Sequence, residues 1–428
     1  MMEKIIIIGA GPAGLLMAHS LLLRGKYKVE LYERRSDPRL IEPSNQRTFP
    51  LTLQLRGLQA LESIEGLKDA ISSHAILSQG TLLHRSKGKP RQIDRKTPIW
   101  MTDRNQLTVV LLEHLLNRYG NDHLTVKFDC TCIDLDRQQN TITLQPRDGK
   151  PFSVGFDRLV GADGVRSRVR EVLVKTTDFQ CEQEYVPDAY ISAFSPRINQ
   201  DKNIELAGDR IHSWNLGEGM RLLMVPQAED WLHGTLVFPP DCNPLEGLQT
   251  GEQVLQFLQE HCHPLGELMP LEEANALKQR QPSRILTVKC DRLHDQDRIL
   301  LIGDAVHAVS ASIGQGCNCA LQDVLFCTGL LDQYQDDWAK ALPEFSCQRL
   351  PEVHALRELA DYTFPRSKPM FLEFLFHVML GKKLTQWFPQ IFQPFILTEI
   401  FETDLPYSQI LNRHKNWINR VKLSMGKA

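Results

Sequence analysis

The first stretch of the chain shows a clear change of hydrophobic pattern. Residues 4–8 include four consecutive isoleucines, a β-branched run that predicts a strand buried on both faces. A glycine-rich turn follows, then an apolar stretch that predicts a helix as far as Leu23, and Tyr27–Tyr32 predicts a second strand. Residues 5–23 contain no Lys, Arg, Asp or Glu, but the glycines and proline among them argue against a signal peptide or a membrane-spanning helix. The pattern therefore predicts a βαβ unit.

The turn of this unit contains glycines with the spacing GxGxxG, at Gly9, Gly11 and Gly14. In such a turn the first glycine permits the tight bend, the second lets the backbone approach a pyrophosphate, and the third lets the helix pack on the sheet. The helix N-terminus offers free N–H groups and a favourable dipole to the phosphates. Glu33 ends the second strand about 20 residues later, where a carboxylate accepts hydrogen bonds from ribose hydroxyls. These features indicate a dinucleotide site and fit FAD and NAD equally well.

Two later segments favour FAD. Asp163 follows an apolar strand, and the predicted strand 299–302 is followed by a glycine and Asp304. A carboxylate at such a strand end suits the ribityl chain, while the backbone amides of residues 314–316 suit the electron-rich pyrimidine end of a flavin. We therefore expect distant segments to hold the two ends of one FAD. The alternatives are that Asp304 only caps a helix and that His307 is an ordinary buried or surface histidine, and we assign His307 no catalytic role.

The middle and the end of the chain have different periodicities. Between residues 175 and 284 short alternating runs, such as 221–226 and 233–238, predict an antiparallel sheet. Its residues Leu222, Met224 and Phe238 are candidates either for a substrate pocket or for the core between two lobes. From Trp338 onward the pattern is helical, and its apolar segments predict a helical cap, with peripheral membrane or partner contact as the alternative.

Composition narrows the class of partner. The 49 basic and 52 acidic residues give a net charge of -3, which offers no electrostatic reason to expect nucleic acid or an anionic membrane as the main partner. The ten cysteines form no CxxC pair, and the run His261-Cys262-His263 has no second pair of ligands at zinc-finger spacing. We therefore expect a cytoplasmic enzyme that binds a small-molecule substrate and no metal.

Four motifs in series carry a family resemblance. They are GAGPAG with Glu33, Arg104 within DRNQL, GADGVRS, and GDAVHAVSASIGQGCN. This series, which covers most of the first 330 residues, resembles the class A flavoprotein monooxygenases and within that class is most similar to the kynurenine 3-monooxygenases. Other segments similar to that group are the stretch from Arg47-Thr48 to Arg56-Gly57, His212-Ser213-Trp214, residues 286–290 and Pro406-Tyr407.

The resemblance implies noncovalently bound FAD, reduction by NADH or NADPH, and attack of a flavin C4a-hydroperoxide on an electron-rich ring. The protein would then provide a dry pocket and correct orientation, and no side chain would need to act as a nucleophile. Together the motifs and the resemblance predict the following cofactor contacts: Gly9, Gly11, Pro12, Ala13, Gly14, Glu33, Arg34, Arg35, Arg104, Cys132, Asp163, Gly303, Asp304, Gly314, Gln315, Gly316, Cys317 and Asn318.

The chain departs from the kynurenine-specific pattern at the substrate carboxylate. Members of that group hold it with an arginine, two tyrosines and an asparagine. A carboxylate without such donors in a dry pocket would be poorly paired, so kynurenine is not the expected substrate unless Arg85, Lys87 or Lys89 supplies the charge. At the positions that we assign to the four family residues, this chain has Thr81, Pro98, Leu397 and Thr363.

A second departure lies in the turn expected over the flavin. Ala311 stands where the family usually has proline, and Ser312-Ile313 replaces an aromatic pair. Loss of proline removes a constraint on φ, so we expect a looser loop. The predicted substrate pocket comprises Thr81, Leu222, Met224, Phe238, Ser312, Ile313 and Thr363.

These observations predict an α/β protein with a p-hydroxybenzoate-hydroxylase-like architecture. A Rossmann-type FAD-binding domain is expected in residues 1–75, 100–174 and 285–337, an antiparallel substrate-binding sheet in 76–99 and 175–284, and a helical region in 338–428. The predicted function is NAD(P)H-dependent hydroxylation of an aromatic or similar small organic substrate. An FAD-dependent reductase or dehydrogenase of the same fold, or a non-catalytic flavin-binding accessory protein, are the alternatives.

Overall fold

The computed structural model of the chain describes residues 2–40, 49–85, 88–176, 178–387 and 394–426. Within these ranges the strands are β1 (Glu3–Ile8), β2 (Tyr27–Tyr32), β3 (Pro50–Leu53), β4 (Ile76–His84), β5 (Arg91–Asp103), β6 (Leu124–Lys127), β7 (Cys130–Asp136), β8 (Thr141–Pro146), β9 (Phe152–Gly155), β10 (Arg158–Gly161), β11 (Cys181–Pro196), β12 (Ile198–Asn199), β13 (Ile204–Glu205), β14 (Arg210–Gly217), β15 (Met220–Pro226), β16 (Trp231–Phe238), β17 (Ser283–Cys290), β18 (His294–Asp295) and β19 (Ile299–Leu301).

The helices in the same ranges are α1 (Pro12–Leu23), α2 (Leu55–Glu62), α3 (Leu67–Ser72), α4 (Arg104–Arg118), α5 (Arg168–Thr176), α6 (Gly251–His261), α7 (Leu265–Leu268), α8 (Leu271–Gln279), α9 (Asp304–His307), α10 (Gly316–Gln333), α11 (Trp338–Tyr362), α12 (Lys368–Trp387), α13 (Ile396–Glu402), α14 (Tyr407–Arg413) and α15 (Lys415–Ser424). Short 3-10 turns occupy Pro38–Leu40 and Ala311–Ile313.

A six-stranded sheet in the order β18-β19-β10-β1-β2-β6 forms the first layer. Its strands run parallel except for the edge strand β18. The isoleucines of β1 are almost fully buried, as expected for a parallel strand that is covered on both faces, and this explains their uninterrupted apolar run. β1 pairs with β10 on one side and β2 on the other, so Ile8 lies between Gly161 and Tyr32. This register brings the loops after the three strands to one edge of the sheet.

An eight-stranded sheet in the order β17-β11-β16-β15-β14-β4-β5-β3 forms the second layer. Neighbouring strands are antiparallel except for the parallel pair of β14 and β4. One face packs on α6, α7 and α8 around a buried apolar core, and the other face borders a large cavity. The alternating runs therefore predicted the strands correctly, whereas residues 251–279, which we had included in the sheet region, are largely helical.

The C-terminal helices form a third layer with their own apolar core, built by α11 and the helices from α12 to α15. Arg56 of α2 ties this layer to the rest of the protein. Its guanidinium donates to the carbonyls of Ile400 at 2.9 Å and Leu405 at 2.5 Å and lies 4.3 Å from the ring centre of Tyr407. The helical region predicted from Trp338 is thus confirmed as a packed layer.

The α/β architecture is confirmed, but sheet pairing crosses the predicted domain boundaries. β3 and β17 lie in, or run into, segments that we assigned to the FAD-binding domain, yet both pair within the eight-stranded sheet. β5 also continues past the predicted boundary at residue 99. The cause is that edge strands of the second sheet are contributed by chain segments that immediately precede or follow parts of the first. The assignment of separate roles to the domains stays a prediction.

Candidate active site

The site begins at the glycine turn after β1. Gly9 has φ of +106°, and a Cβ there would lie 2.3 Å from the carbonyl oxygen of Ala162. A Cβ on Gly14 would lie 2.0 Å from the carbonyl oxygen of Gly9, so both positions require glycine for close packing of α1 and β10 on the turn. At Gly11, by contrast, the nearest atom to a Cβ would be an Nη of Arg104 at 3.6 Å. The N-terminus of α1 therefore faces open space.

Glu33 fixes the strand end beside this turn. Its Oε2 accepts the N–H of Ala10 at 2.9 Å, and its Oε1 accepts the N–H of Arg35 at 2.9 Å. Arg104 enters from α4, whose N-cap Asp103 accepts the N–H of Asn105 at 2.7 Å. Motifs that are far apart in sequence therefore meet around one helix N-terminus, as their order along the chain predicted.

Asp163 lies two residues after the end of β10, at the rim of a cavity. Its Oδ2 accepts the N–H of Arg168 at 2.7 Å, while Oδ1 is enclosed and has no hydrogen-bond partner in the described part of the chain. Burial raises the pKa of Asp163, against the lowering effect of hydrogen bonds from Ser167 and Arg168. An enclosed oxygen of this kind at the rim of a cavity suits a hydroxyl or N–H donor of a ligand.

Asp304 follows β19 and Gly303, whose φ is +60°. The turn is held from behind by Asp323, which accepts the N–H of Gly303 at 2.9 Å and bonds to Nε2 of His307 at 2.5 Å. Arg349 donates to the same carboxylate at 3.0 and 2.8 Å. Burial opposes ionisation of Asp323, but the charges of His307 and Arg349 hold its pKa below the usual value.

The same network answers the question of a metal site. Ligand atoms of His307, Cys319 and Asp323 lie within 4.8 Å of one another. Arg349, however, donates to Sγ of Cys319 at 3.1 Å as well as to Asp323, so its guanidinium already balances the charge of the carboxylate and occupies the thiol. We interpret the cluster as a buried ion-pair network that supports the Asp304 turn.

Residues 314–318 form the far end of the site. Asn318 accepts the N–H of Gln54 at 2.8 Å and donates to the carbonyls of Thr52 and Gly314 at 2.8 and 3.1 Å. Gln315 donates to Gln54 Oε1 at 2.5 Å and accepts the hydroxyl of Tyr407 at 2.8 Å. Both side chains therefore point away from the cavity and fix the loop against β3 and α14.

Ala311 and Ser312 lie in a 3-10 turn next to this loop. The side chain of Ser310 accepts the N–H of Ser312 at 3.3 Å, and the Ser312 hydroxyl donates to the carbonyl of Ala360 in α11. Gly314 closes the turn in the left-handed region and donates to the carbonyl of Ala311 at 3.1 Å. These bonds restrain a segment that, without its proline, we expected to be loose.

A single cavity of about 2170 Å³ connects these elements and continues beneath the eight-stranded sheet to the C-terminal helices. The predicted residues that line it are Gly9, Gly11, Pro12, Ala13, Glu33, Arg34, Arg35, Thr81, Arg104, Cys132, Asp163, Gly303, Asp304, Ser312, Ile313, Gly314, Gly316 and Cys317. Gly14, Gln315 and Asn318 stand behind the wall and shape it by packing and hydrogen bonding. Arg47, Thr48 and Lys87 lie outside the described residues.

Four predicted pocket residues lie elsewhere. Leu222, Met224 and Phe238 are almost fully buried in the core that the sheet forms with α6, α7 and α8. Alternate residues of a strand point to opposite faces, so it is their neighbours, including Leu223 and Val237, that face the cavity. Thr363 at the end of α11 is fully buried behind the cavity wall, where its carbonyl accepts the indole N–H of Trp417 at 3.2 Å. The prediction was wrong for these four positions.

Two arginines on the cavity wall escaped the sequence analysis. Arg95 on β5 and Arg221 on β15 line the cavity, and the Nε atom of each is enclosed without a partner among the described residues. The sequence does contain a period-two alternation that places Arg91, Ile93 and Arg95 on one face of β5, and all three line the cavity. It does not reveal which face of the strand the cavity occupies.

The cavity fits FAD. Its volume exceeds the roughly 300–1,000 Å³ of a typical single-ligand pocket, leaving room for a long cofactor and a second small molecule. The open N-terminus of α1 offers N–H donors to a pyrophosphate, and the enclosed oxygen of Asp163 offers an acceptor farther along.

Comparison with known proteins agrees with this geometry. The family described as FAD binding domain matches residues 2–356. The kynurenine 3-monooxygenase of Sus scrofa is 31% identical over 427 residues, which are 98% of this chain and 88% of that protein. The chain belongs to the FAD-dependent aromatic monooxygenase family. The kynurenine 3-monooxygenase of Stenotrophomonas maltophilia, another family member, is also 31% identical, over 96% of this chain and 90% of that protein.

Solved structures of monooxygenases share the fold. The tetrameric form of 2-methyl-3-hydroxypyridine-5-carboxylic acid oxygenase has a TM-score of 0.66 at 23% identity and covers 85% of this chain and 91% of that one. PqsL of P. aeruginosa in complex with 2-aminobenzoylacetate has a TM-score of 0.66 at 19% identity and covers 88% of this chain and all of that one (100%). This member of the FAD-dependent monooxygenases thus uses FAD, with NADH or NADPH as the reductant.

Proposed function

We propose that the protein hydroxylates a small aromatic or similar organic substrate in the part of the cavity between the eight-stranded sheet and the C-terminal helices. The observation that carries this proposal is the continuity of one cavity from the α1 N-terminus, past Asp304 and residues 314–317, to an apolar wall. A cofactor held along the first part would present its reactive end to a substrate in the second.

The residues that would hold FAD follow from this path. The pyrophosphate would bind to N–H groups at the start of α1, including those of Gly11 and Ala13. Glu33 would bind the adenosine ribose. Asp304 would face the ribityl chain, and the amides at the start of α10 would face the pyrimidine ring. Bound FAD supplies the electron transfer from the nicotinamide and the activation of dioxygen.

The substrate part of the cavity supplies exclusion of water and orientation. Ile211, Leu223 and Val237 line it from the sheet, while Phe364 and Phe395 line it from the C-terminal layer. Apolar walls on both sides keep bulk water from a reactive oxygen species and seat a flat ring. The names of the structural neighbours refer to a pyridine carboxylic acid and to 2-aminobenzoylacetate, which are small organic compounds of the kind proposed here.

A substrate screen tests the proposal directly. FAD-loaded protein is mixed with small aromatics while NAD(P)H loss, hydrogen peroxide release and incorporation of isotopically labelled dioxygen are followed together. We expect one class of compound to stimulate NAD(P)H oxidation with label in the product and little peroxide. Turnover of NAD(P)H without label in any product would instead indicate the reductase alternative, and a protein that neither nicotinamide reduces would indicate the accessory alternative.

The structure offers less support for the reductase alternative than the sequence did. That alternative rested on the missing proline at Ala311, which predicted poor protection of the flavin. The bonds of Ser310 and Ser312 restrain the turn and anchor it to α11. These tertiary contacts provide the order that proline would otherwise provide, which favours the monooxygenase proposal.

We also propose a cytoplasmic location with peripheral membrane contact through α12. None of the helices in the described ranges is long and apolar enough to cross a bilayer. On α12, however, Leu372, Phe376 and Trp387 are 68%, 53% and 70% exposed, which is unusual for large apolar side chains on one helix. Flotation with anionic and neutral vesicles tests this contact, and the variant Leu372→Ser with Phe376→Ser should lose any binding that wild type shows. Equal flotation of both proteins would exclude α12 as the contact.

A further inference from the structure

Cys181 and Cys290 face each other across the two strands at one edge of the eight-stranded sheet. Cys181 is the first residue of β11, and Cys290, its register partner, is the last residue of β17. Just beyond this pair, the N–H of Asp291 donates to the carbonyl of Gln180 at 3.1 Å. Hydrogen-bonded and non-hydrogen-bonded pairs alternate along an antiparallel ladder. The two cysteines therefore form a non-hydrogen-bonded pair, the kind in which opposite side chains lie closer together.

This backbone arrangement suits a disulfide bond. A disulfide joins residues whose Cα atoms are about 4.4–6.8 Å apart, and a non-hydrogen-bonded pair has a Cα separation of about 4.5 Å. The thiols of Cys181 and Cys290 are already hydrogen-bonded to each other. All ten cysteines lie in the described part of the chain, and no other two of them are register partners, since Cys130 and Cys132 on β7 oppose other residue types. The two strands therefore hold one pair of sulfur atoms in position to bond.

The two thiols differ in exposure and in acidity. Cys181 is partly exposed, whereas Cys290 is only 3% exposed. The hydrogen bond from Cys290 lowers the pKa of Cys181, and the charge of Arg170 acts in the same direction. Partial burial and the charges of Asp291 and Glu182 oppose this effect without cancelling it. The same hydrogen bond, together with burial, raises the pKa of Cys290. Because the thiolate is the reactive form of cysteine, Cys181 is the thiol that reacts first.

We propose that Cys181 and Cys290 form a redox-active dithiol that hydrogen peroxide oxidises to a disulfide. The Cys181 thiolate attacks one peroxide oxygen, the O–O bond breaks, and hydroxide leaves as water with the thiol proton, which gives a sulfenic acid. The sulfur of Cys290 then attacks the sulfenic sulfur, the S–O bond breaks, and a second water leaves with the remaining thiol proton. The peroxide is reduced by the two electrons that the thiols lose. NAD(P)H oxidation that is not coupled to hydroxylation releases hydrogen peroxide, so the proposed function can produce this oxidant.

The pair lies where the chain passes between the two sheets. β11 follows α5, and β17 is followed by β18 and β19 of the six-stranded sheet. Arg170 of α5, whose charge acts on both thiols, donates to the carbonyl of Val165 at 2.8 Å and to that of Ala305 at 2.6 Å. Oxidation would thus replace a thiolate by a neutral disulfide beside the arginine that ties the loops after β10 and β19 together. This inference goes beyond the proposed function, which concerns the organic substrate.

The test uses the FAD-loaded, full-length protein, which is first reduced and then freed of reductant. Hydrogen peroxide is added at neutral pH in slight excess, and catalase ends the reaction. The number of free thiols, counted after unfolding, should fall by two from ten, and the mass of the chain should fall by about 2 Da for the two hydrogen atoms lost. Peptide mapping should find Cys181 linked to Cys290, and dithiothreitol should restore both thiols.

Three variants make the outcome specific. Cys290→Ser should leave a sulfenic acid on Cys181 that dimedone traps, because the second thiol is missing, and Cys181→Ser should form no disulfide. Cys242→Ser, which removes an exposed cysteine outside the sheet, should form the same disulfide as the wild type.

The inference is wrong if Cys181 and Cys290 stay reduced at peroxide concentrations that oxidise Cys242, if the disulfide joins other cysteines, or if Cys181→Ser still loses two thiols. Failure of the proposed function would look different. Because the peroxide is added, the disulfide would form even in a protein that transfers no oxygen to any organic compound.

Discussion

Replacing Asp323 with asparagine should destabilise the protein through the buried charge of Arg349. Asp323 is 0% and Arg349 1% exposed, and they are joined by two hydrogen bonds of 3.0 and 2.8 Å. Asparagine keeps an acceptor for the N–H of Gly303 but removes the negative charge. Among the described residues, the guanidinium then keeps hydrogen bonds only to the neutral groups of Gln322 and Cys319. Removing one partner of a buried ion pair costs about 3–5 kcal/mol. This is a large part of a typical free energy of unfolding, which is about 5–15 kcal/mol.

The assay is urea unfolding of the FAD-loaded protein at a fixed FAD concentration, because FAD stabilises the folded state by mass action. The double variant Asp323→Asn with Arg349→Met removes the unpaired charge as well, and should recover about 2 kcal/mol or more of the free energy of unfolding. A loss below about 1 kcal/mol in the single variant, or no recovery in the double variant, would refute the reasoning. FAD affinity should fall by less than about tenfold in the single variant, since Gly303 keeps an acceptor.

Three other changes separate cofactor, cavity and core. Asp304→Ala should strip FAD or weaken its binding by about 10- to 100-fold, as measured by flavin fluorescence during dialysis, and full retention of FAD would contradict our placement of that carboxylate. Burial raises the pKa of Asp163 in the folded state, so the folded protein loses stability as the pH rises through that pKa. Asp163→Asn removes this loss, and urea titrations of the FAD-free variant should show a smaller change in stability between acid and neutral pH. An unchanged pH profile would argue against this role of Asp163. Met224→Ala should cost about 2–5 kcal/mol of unfolding free energy, whereas Leu223→Ala on the cavity face should mainly change KM, and equal losses of stability would place both side chains in the core.

The parts of the candidate site that a single sequence predicts most directly are those with a local backbone cause. At Gly9 a tight turn with positive φ leaves no room for a side chain, and the strand and helix on either side are set by short-range periodicity. Glu33 and Asp304 each follow a strand of the parallel sheet, so strand order alone brings them to the same edge. Such positions are recognisable in a single sequence because few other arrangements satisfy the same constraints.

The side chains that were misplaced depend on which face of a strand meets the cavity. Leu222, Met224 and Phe238 have the alternation of a half-buried strand, and that pattern is the same whether the apolar face meets the cavity or the helices α6 to α8. The helices α6 to α8 lie in residues 251–279, which we had included in the region of the sheet, so no helix was expected to cover its apolar face. A prediction of helices in residues 251–279 would have indicated a second possible partner, besides the cavity, for the apolar face of the sheet.

A third group of residues acts across the fold and leaves no local pattern. Gln315 was predicted as a cofactor contact through its backbone amide, and Asn318 was predicted from the family resemblance. Their side chains bond to Gln54, Tyr407 and Gly314 and point away from the cavity. The stacking of Arg95 on Phe401 joins segments from opposite parts of the chain. No spacing within either segment encodes such a contact, since it arises from the packing of α13 against the sheet.

The turn at Ala311 shows how a departure from the family pattern is compensated by tertiary structure. Proline would restrict φ within the turn itself, independently of the rest of the protein. Here Ser310 caps the turn, and Ser312 bonds to Ala360 of α11, so the order of the turn depends on the packing of the C-terminal layer. That layer also contributes Phe395 and Leu397 to the cavity wall. The turn that we propose to lie over the flavin and the wall that we propose for the substrate therefore share one support, and a change in α11 that affects one is expected to affect the other.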